Sequence, residues 1–436
     1  AQVLDSVTCA RARVVVEGEN GRTAEGWGET PLSVAWVWPS TIDYENRHDA
    51  LKQFTINLAA ALNEFGENGH PIELGHDFIK YRLHQLQDEF NATRSDEGAL
   101  PHLAALVCFS LLDIAVHDAY GHLHERPIYS TYNSEFLSRD LGSFLKPSAE
   151  QVSFDGVFPG DFLTYTPRLK LPVWHLVGGL DPISEDELTG DEPDDGYPVL
   201  LRDWIQQDGL DCLKIKLRGN DSEWDYDRVS KIGQICKDKD VSWLTTDFHC
   251  TVTDPAYVND SLDRLKIDDP VTYQKILYVE QPFPYDLEAN QIDVRSVSAR
   301  KPLFMDESAH DWKFVRMGRE LGWTGVALKT CKTQTGALLS LCWAKAHGMT
   351  LMVQDLTNPM LAQIPHFLLA AHAGTIMGVE SNGMQFYPEA SAPERDIHPG
   401  LYRRQQGLLD GSTLSDRGFG YRVQEIARTL PDPVYG

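Results

Sequence analysis

The sequence is short of basic residues: 39 Lys and Arg stand against 64 Asp and Glu, a formal net charge of −25 at pH 7. Nucleic-acid binding needs clustered Lys and Arg to neutralise phosphates, so this balance argues against that class of partner. No unbroken apolar run of about 18 residues is present to cross a bilayer, so a soluble protein with no membrane partner is expected. Residues 1–10 are polar where a secretory signal would be apolar. The seven cysteines are scattered, odd in number and without CxxC pairs, which gives no zinc spacing and no disulfide framework. Together these absences make a reducing cytoplasm the expected compartment. A protein this acidic that acts on an anion must build positive charge locally, so buried lysines and a metal cation are the features to look for.

What is present fits two domains. An α/β barrel takes about 250 residues, and 436 residues leave room for a second, smaller unit. Residues 13–17 and 24–29, with a turn at Gly18 to Gly21, read as a hairpin. Residues 47–66 and 103–124 carry the i, i+3, i+4 apolar spacing of helices. An α+β capping domain over residues 1–130 is therefore expected. Residues 131–171 lack periodicity and hold Gly142, Pro147, Gly156, Pro159 and Gly160, so they read as an irregular insertion or linker. Residues 172–385 read as the barrel, and 386–436 as a segment returning to the cap.

The barrel reading rests on eight short apolar runs, at 173–177, 213–217, 243–248, 276–280, 303–306, 326–329, 351–353 and 376–379, separated by amphipathic segments. The last seven end at or beside Lys216, Asp247, Glu280, Asp306, Lys329, Asp355 and Glu380. The steps between these residues run from 23 (306 to 329) to 33 (247 to 280), each the length of one strand, one helix and two loops. The C-terminal strand ends of such a barrel converge at one mouth, where active sites lie. Seven polar residues in register would meet there.

The third, fourth and fifth strands end in Asp247, Glu280 and Asp306. A lone acidic residue at a strand end is usually a helix N-cap, but three buried together without a cation would repel one another. Three carboxylates form a hard oxygen site suited to Mg²⁺ or Mn²⁺. The second strand carries Lys214 and Lys216, which a period of two places on one face. The sixth ends in Lys329, with Lys332 one turn on. Lysines in apolar strands need anionic partners, which the carboxylates and an anionic substrate would supply. The second and sixth strands are four apart in a ring of eight, so Lys216 and Lys329 should face each other across the mouth.

The ordered set Lys214-x-Lys216, Asp247, Glu280-Gln281-Pro282, Asp306-Glu307-Ser308 and Lys329-x-x-Lys332 resembles the enolase superfamily, specifically its muconate lactonizing enzyme branch. The likeness reaches Gly26-Trp27-Gly28-Glu29, similar to the capping-domain hairpin, and residues 112–118, similar to its last long helix. The resemblance implies a TIM-like (β/α)8 barrel with an α+β cap, and one Mg²⁺ per chain, with Mn²⁺ as a substitute, on Asp247, Glu280 and Asp306. It also implies Lys216 and Lys329 as acid/base groups, supported by Lys214 and Lys332, and an enolate formed by removing the proton next to a carboxylate. A racemase or epimerase is the first expectation, with a cycloisomerase or syn-dehydratase behind it and a non-catalytic acid-binding barrel as a remote alternative. Members of the family are commonly oligomeric, so a homo-oligomer acting on a small carboxylate is expected.

Some positions depart from the family pattern. Asp-x-Asn is common on the third strand, whereas this chain has Asp247-Phe248-His249, which makes His249 a candidate substrate contact. The His-Asp pair of the mandelate racemase branch is not evident. Asp355 and Glu380, on the seventh and eighth strands, are candidate specificity residues. Residues 30–45, with Trp36, Trp38 and Tyr44, occupy the place of a mobile lid and offer Trp38 to the substrate.

Overall fold

Two glycines set the geometry of the cap. Strands β1 (Cys9–Glu17) and β2 (Thr23–Pro31) pair antiparallel, and the helix His102–Leu123 lies directly on β2. A Cβ on Gly26 would come 2.1 Å from the Ala119 nitrogen, and one on Gly28 would come 2.0 Å from the Leu111 carbonyl oxygen. Gly-Trp-Gly is thus a steric requirement of that approach. The computed structural model describes residues 6–94 and 98–436, so residues 1–5, where the expected cap and the polar N-terminal stretch begin, lie outside the described residues.

The helix His102–Leu123 contains no unbroken apolar run of about 18 residues, yet by length and composition it is apolar enough to cross a membrane. It is almost wholly buried, and its inward Asp113, His117 and Asp118 tie it to other elements. Helix Tyr44–Asn63 packs beside it, and the cap core gathers Leu51, Phe54, Leu58, Phe78 and Phe109.

The barrel strands are β3 (Lys170–Val177), β4 (Cys212–Lys216), β5 (Trp243–Asp247), β6 (Ile276–Glu280), β7 (Leu303–Met305), β8 (Gly325–Leu328), β9 (Thr350–Val353) and β10 (Val379–Glu380). They run parallel in the order β10-β3-β4-β5-β6-β7-β8-β9. Beside β10 the ring is drawn together by the Ile376 N–H, which donates to the Leu351 carbonyl at 2.8 Å. All eight expected strands are present, with ends shifted by up to three residues.

The period of two sorts each strand into layers. Trp174, Cys212, Tyr278, Phe304 and Met352 pack together as an apolar plug inside the ring. Two residues further on stand Lys214, Glu280, Asp306 and Gln354, with Thr245 followed by Asp247 on β5. The plug is the floor, and the polar layer above it is the mouth.

Residues 131–171 contain only short 3₁₀ turns before β3. They nevertheless bury Tyr132, Leu141, Phe144 and Phe154 in the main core, so the segment is a strap over the barrel helix Gln334–Ala346 rather than a free linker. Trp343 and Lys345 of that helix donate to the Lys146 and Phe162 carbonyls at 2.9 and 2.7 Å. The C-terminal segment first adds β11 (Leu408–Asp410) antiparallel to β3, then reaches the cap helix where the Phe419 N–H donates to Asp118 at 2.8 Å.

Candidate active site

Strands β5, β6 and β7 bring Asp247, Glu280 and Asp306 to the mouth with 1, 0 and 2% of their surface exposed. Lys214 is equally buried, and its ammonium lies 2.5 Å from Glu280, 3.1 Å from Asp247 and 3.1 Å from Glu380. Lys216 also ion-pairs with Asp247, so both lysines of β4 share one face as the period of two requires. Across the arc, Lys329 Nζ donates to the Asp355 carbonyl at 2.7 Å and lies 3.2 Å from Asp306. Lys332 Nζ donates to the carbonyls of Asp306 at 2.5 Å and Ala309 at 3.2 Å.

These groups titrate far from their ordinary ranges because water is excluded. Burial, and then the charge of Asp247, hold the Glu280 carboxyl well above the usual carboxylate range. Burial also raises Asp306, against the pull of Lys329. For Asp247 burial is outweighed by Lys216 and Lys214, and its carboxyl sits well below its usual range. Burial depresses both Lys216 and Lys329, but Asp247 and Asp306 respectively more than restore them, and both are held above the usual lysine value. Lys332 goes the other way, lowered by burial that Asp306 does not offset.

The loops beyond the strands are stitched by side chains whose roles the sequence did not disclose. Gln281 Oε1 accepts from the Asp306 N–H at 2.8 Å and the Ser308 hydroxyl at 2.7 Å, which fixes the carboxylate of β7 from the end of β6. Gln354 is the inward residue of the seventh strand and donates to Glu280, and to the Tyr278 hydroxyl at 3.2 Å. The layer rule could have found it. Asp355, the residue chosen from sequence, is a loop tie. Its two carboxylate oxygens accept from the Asn358 and Asn382 N–H groups at 2.7 and 2.5 Å, which gives Asp355 a part in fixing these loops. Glu380 does reach the mouth, held by Lys214 and by Asn382 Nδ2 at 2.7 Å.

The cap contributes Trp36. Its indole N–H donates to Glu307 at 3.1 Å, and its ring centre lies 5.3 Å from Lys329 Nζ and 5.6 Å from Lys332 Nζ, within cation–π range. Trp38 is instead buried in the cap core with the Arg94 guanidinium over its ring, so of the two tryptophans it is Trp36 that meets the barrel. His249 stands at the rim with 54% of its side chain exposed, its Nδ1 3.3 Å from Glu307 and its N–H donating to Asp247 at 2.8 Å. His249, Cys250, Gln281, Thr333, Thr357 and Met360, all in loops beyond strand ends, hold positive φ without being glycine. Such backbone concentrates where a site dictates loop shape.

Among the described residues no three His, Cys, Asp or Glu side chains stand together as a ready metal cage. The Lys214 ammonium lies against two of the three carboxylates and supplies positive charge there. The donor chemistry still suits a hard divalent ion: three buried carboxylates, one of whose oxygens, Asp306 Oδ1, is buried with no hydrogen-bond partner. Asp247, Glu280 and Asp306 are the residues that could hold it.

A parallel eight-stranded barrel whose mouth is lined by charged strand ends beneath an α+β cap defines the class, a capped (β/α)8 barrel. The family model described as Enolase C-terminal domain-like matches residues 198–427, and the chain belongs to the enolase superfamily in its mandelate racemase/muconate lactonizing enzyme branch, whose members are isomerases and lyases. Among curated proteins no match is found. Solved structures similar to it include a mandelate racemase/muconate lactonizing protein from Paracoccus denitrificans, 16% identical with a TM-score of 0.60, covering 96% of this chain and 93% of that one. A muconate lactonizing enzyme from Klebsiella pneumoniae is 13% identical with a TM-score of 0.55, covering 96% and 95%. An N-succinyl Arg/Lys racemase from Bacillus cereus is 17% identical with a TM-score of 0.54, covering 92% and 89%. At these identities the likeness is one of fold.

Proposed function

We propose that this protein removes the proton α to the carboxylate of a small acid, as a racemase or epimerase, with Mg²⁺ held by Asp247, Glu280 and Asp306. The observation that carries the reading is the pair of lysine-bearing strands, β4 and β8, on either side of the arc of three buried carboxylates. Bound there, a divalent ion would supply charge that stabilises the negative charge developing on the substrate carboxylate. The chain's own groups do the rest. Lys216 and Lys329 flank the α-carbon; the carboxylates beside them hold both as ammoniums able to return a proton, and a cation on those carboxylates would free each to take one on its own side, above an apolar floor that limits water. Lys214 orders Asp247, Glu280 and Glu380 around one ammonium.

One asymmetry supports a second reading. Lys329 is fixed by the Asp355 carbonyl, Asp306 and the Trp36 ring, whereas Lys216 is a quarter exposed and pairs with Asp247. A lysine pinned as an ammonium suits charge stabilisation, and one with freedom suits proton transfer, as a one-base cycloisomerase or syn-dehydratase would need.

The test is α-proton exchange in D₂O with Mg²⁺ across a library of carboxylic acids, followed by Lys216→Ala and Lys329→Ala on each active acid. A racemase loses exchange from one enantiomer in each variant. Exchange that survives in Lys329→Ala and never in Lys216→Ala removes the racemase and leaves the one-base reading. No exchange from any acid by the intact enzyme would sink both.

A further inference from the structure

The carboxylate of Glu307 follows the metal-site residue Asp306 in sequence but faces different partners. It is 5% exposed. Its Oε1 accepts the Trp36 indole N–H from the cap at 3.1 Å, and the same oxygen lies 3.3 Å from His249 Nδ1 on the loop beyond β5. A hydrogen bond from an N–H to a carboxylate is in general stronger than one between neutral groups.

Besides that bond, the cap segment belongs to an apolar cluster that also takes in Cys331 and Leu356 of the barrel loops. Val34 and Val37 of the short helix Val34–Val37 turn into the cap core, and Pro39 to Thr41 are exposed. Among the described residues of segment 33–43, Trp36 is the one that crosses to the barrel by a hydrogen bond, and its ring covers Lys329 and Lys332. We propose that Glu307 is the catch that holds the capping segment 33–43 shut over the lysines, by binding Trp36 Nε1, and that His249 braces the catch at the same carboxylate oxygen. Glu307 and His249 are in this account positioning residues: they act on the mouth through Trp36.

The inference rests on reading segment 33–43 as the cover of the active site, but its test needs no substrate. Hydrogen–deuterium exchange of residues 33–43 is followed in the full-length protein, intact and as Trp36→Phe, Glu307→Gln and the double variant. Trp36→Phe keeps a ring and removes only the N–H, so it reads the bond even where a change at Glu307 unsettles the fold. Each single variant should speed exchange in 33–43 by several-fold and leave the helix Gln334–Ala346 unchanged. The double variant should be no faster than either single one, because both remove the same bond. His249→Ala should produce a smaller increase in the same segment. Unchanged exchange in 33–43 for Trp36→Phe, or effects of the two single changes that simply add, would overturn the catch. With an active acid, Trp36→Phe should raise KM more than it lowers kcat; an equal fall in kcat and kcat/KM with KM constant would instead place Trp36 in the chemical step and contradict a positioning role. Failure of the exchange experiment leaves the proposed proton chemistry standing, and absence of any active acid leaves the exchange result interpretable.

Discussion

The barrel mouth and the seam between the cap helix and the barrel both bury carboxylates, yet they treat them oppositely. At the seam, Asp113 accepts the Thr335 N–H at 2.9 Å and its hydroxyl at 2.7 Å, while Asp118 accepts the Trp27 and Phe419 N–H groups at 2.9 and 2.8 Å. His117 between them is bonded through both ring nitrogens, to Thr335 and Tyr132, at 3.0 Å each. At the mouth, Asp306 Oδ1, Glu307 Oε2 and Gln354 Oε1 are buried without hydrogen-bond partners. A completed polar network fixes a structure; an incomplete one, beside mutually repelling carboxylates, stores electrostatic potential that a cation and an anionic substrate can satisfy.

The sharpest way to break this contrast is Glu280→Gln. It should reduce α-proton exchange by about a thousandfold or more and weaken divalent-ion binding, measured by calorimetric titration, while leaving the melting temperature unchanged or raised, because a repelling buried charge is removed. A lower melting temperature with activity retained would move Glu280 into the structural class.

At the seam the same measurements should reverse. Gly28→Ala places a methyl 2.0 Å from a helix carbonyl and has no flexible neighbour to yield, so a loss of about 3 kcal/mol or more is expected in urea unfolding, with kcat retained by whatever fraction is folded. A variant as stable as the parent would show that the helix does not rest on β2 as described.

Asp118 gives a pH signature. Burial raises its carboxyl to about 7, against the two backbone N–H groups that lower it. The folded value lies above the unfolded one, near 3.9, so the stability it confers is full below about 4 and is lost as pH rises through about 7, by a few kcal/mol at most. Asp118→Asn should flatten the melting temperature between those limits relative to the parent. Parallel profiles for the two proteins would exclude Asp118 as their cause.

The smallest effects should separate the two tryptophans. Trp38→Phe should cost roughly 1 kcal/mol of stability through the underfilled cap core and leave kcat/KM alone. Trp36→Phe should lower kcat/KM several-fold with no change in melting temperature. Interchanged outcomes would restore Trp38 to the site.

How much of the site could be read in advance follows from periodicity. Lys214, Lys216, Glu280 and Lys329 were legible because a parallel strand alternates its faces, and an apolar plug below forces the next inward residue to the mouth. Asp355 is three residues past the inward Met352, so its side chain ties loops together, and Gln354 takes the inward place. Glu307 and Gln281 stood in the quoted motifs, but their partners are distant in sequence, 271 residues for Trp36 to Glu307 and 25 for Gln281 to Asp306.

By itself the sequence determined the barrel, the hairpin, and the inward lysines and carboxylates, since each follows from a local period within one element. Only the tertiary structure decided which tryptophan reaches the mouth, that residues 131–171 are a packed strap, and that the apolar helix His102–Leu123 is a core helix. Those outcomes depend on which apolar surfaces meet and which buried oxygens find donors across hundreds of residues. No local pattern encodes that choice, because burial and hydrogen-bond satisfaction are settled by the whole packing.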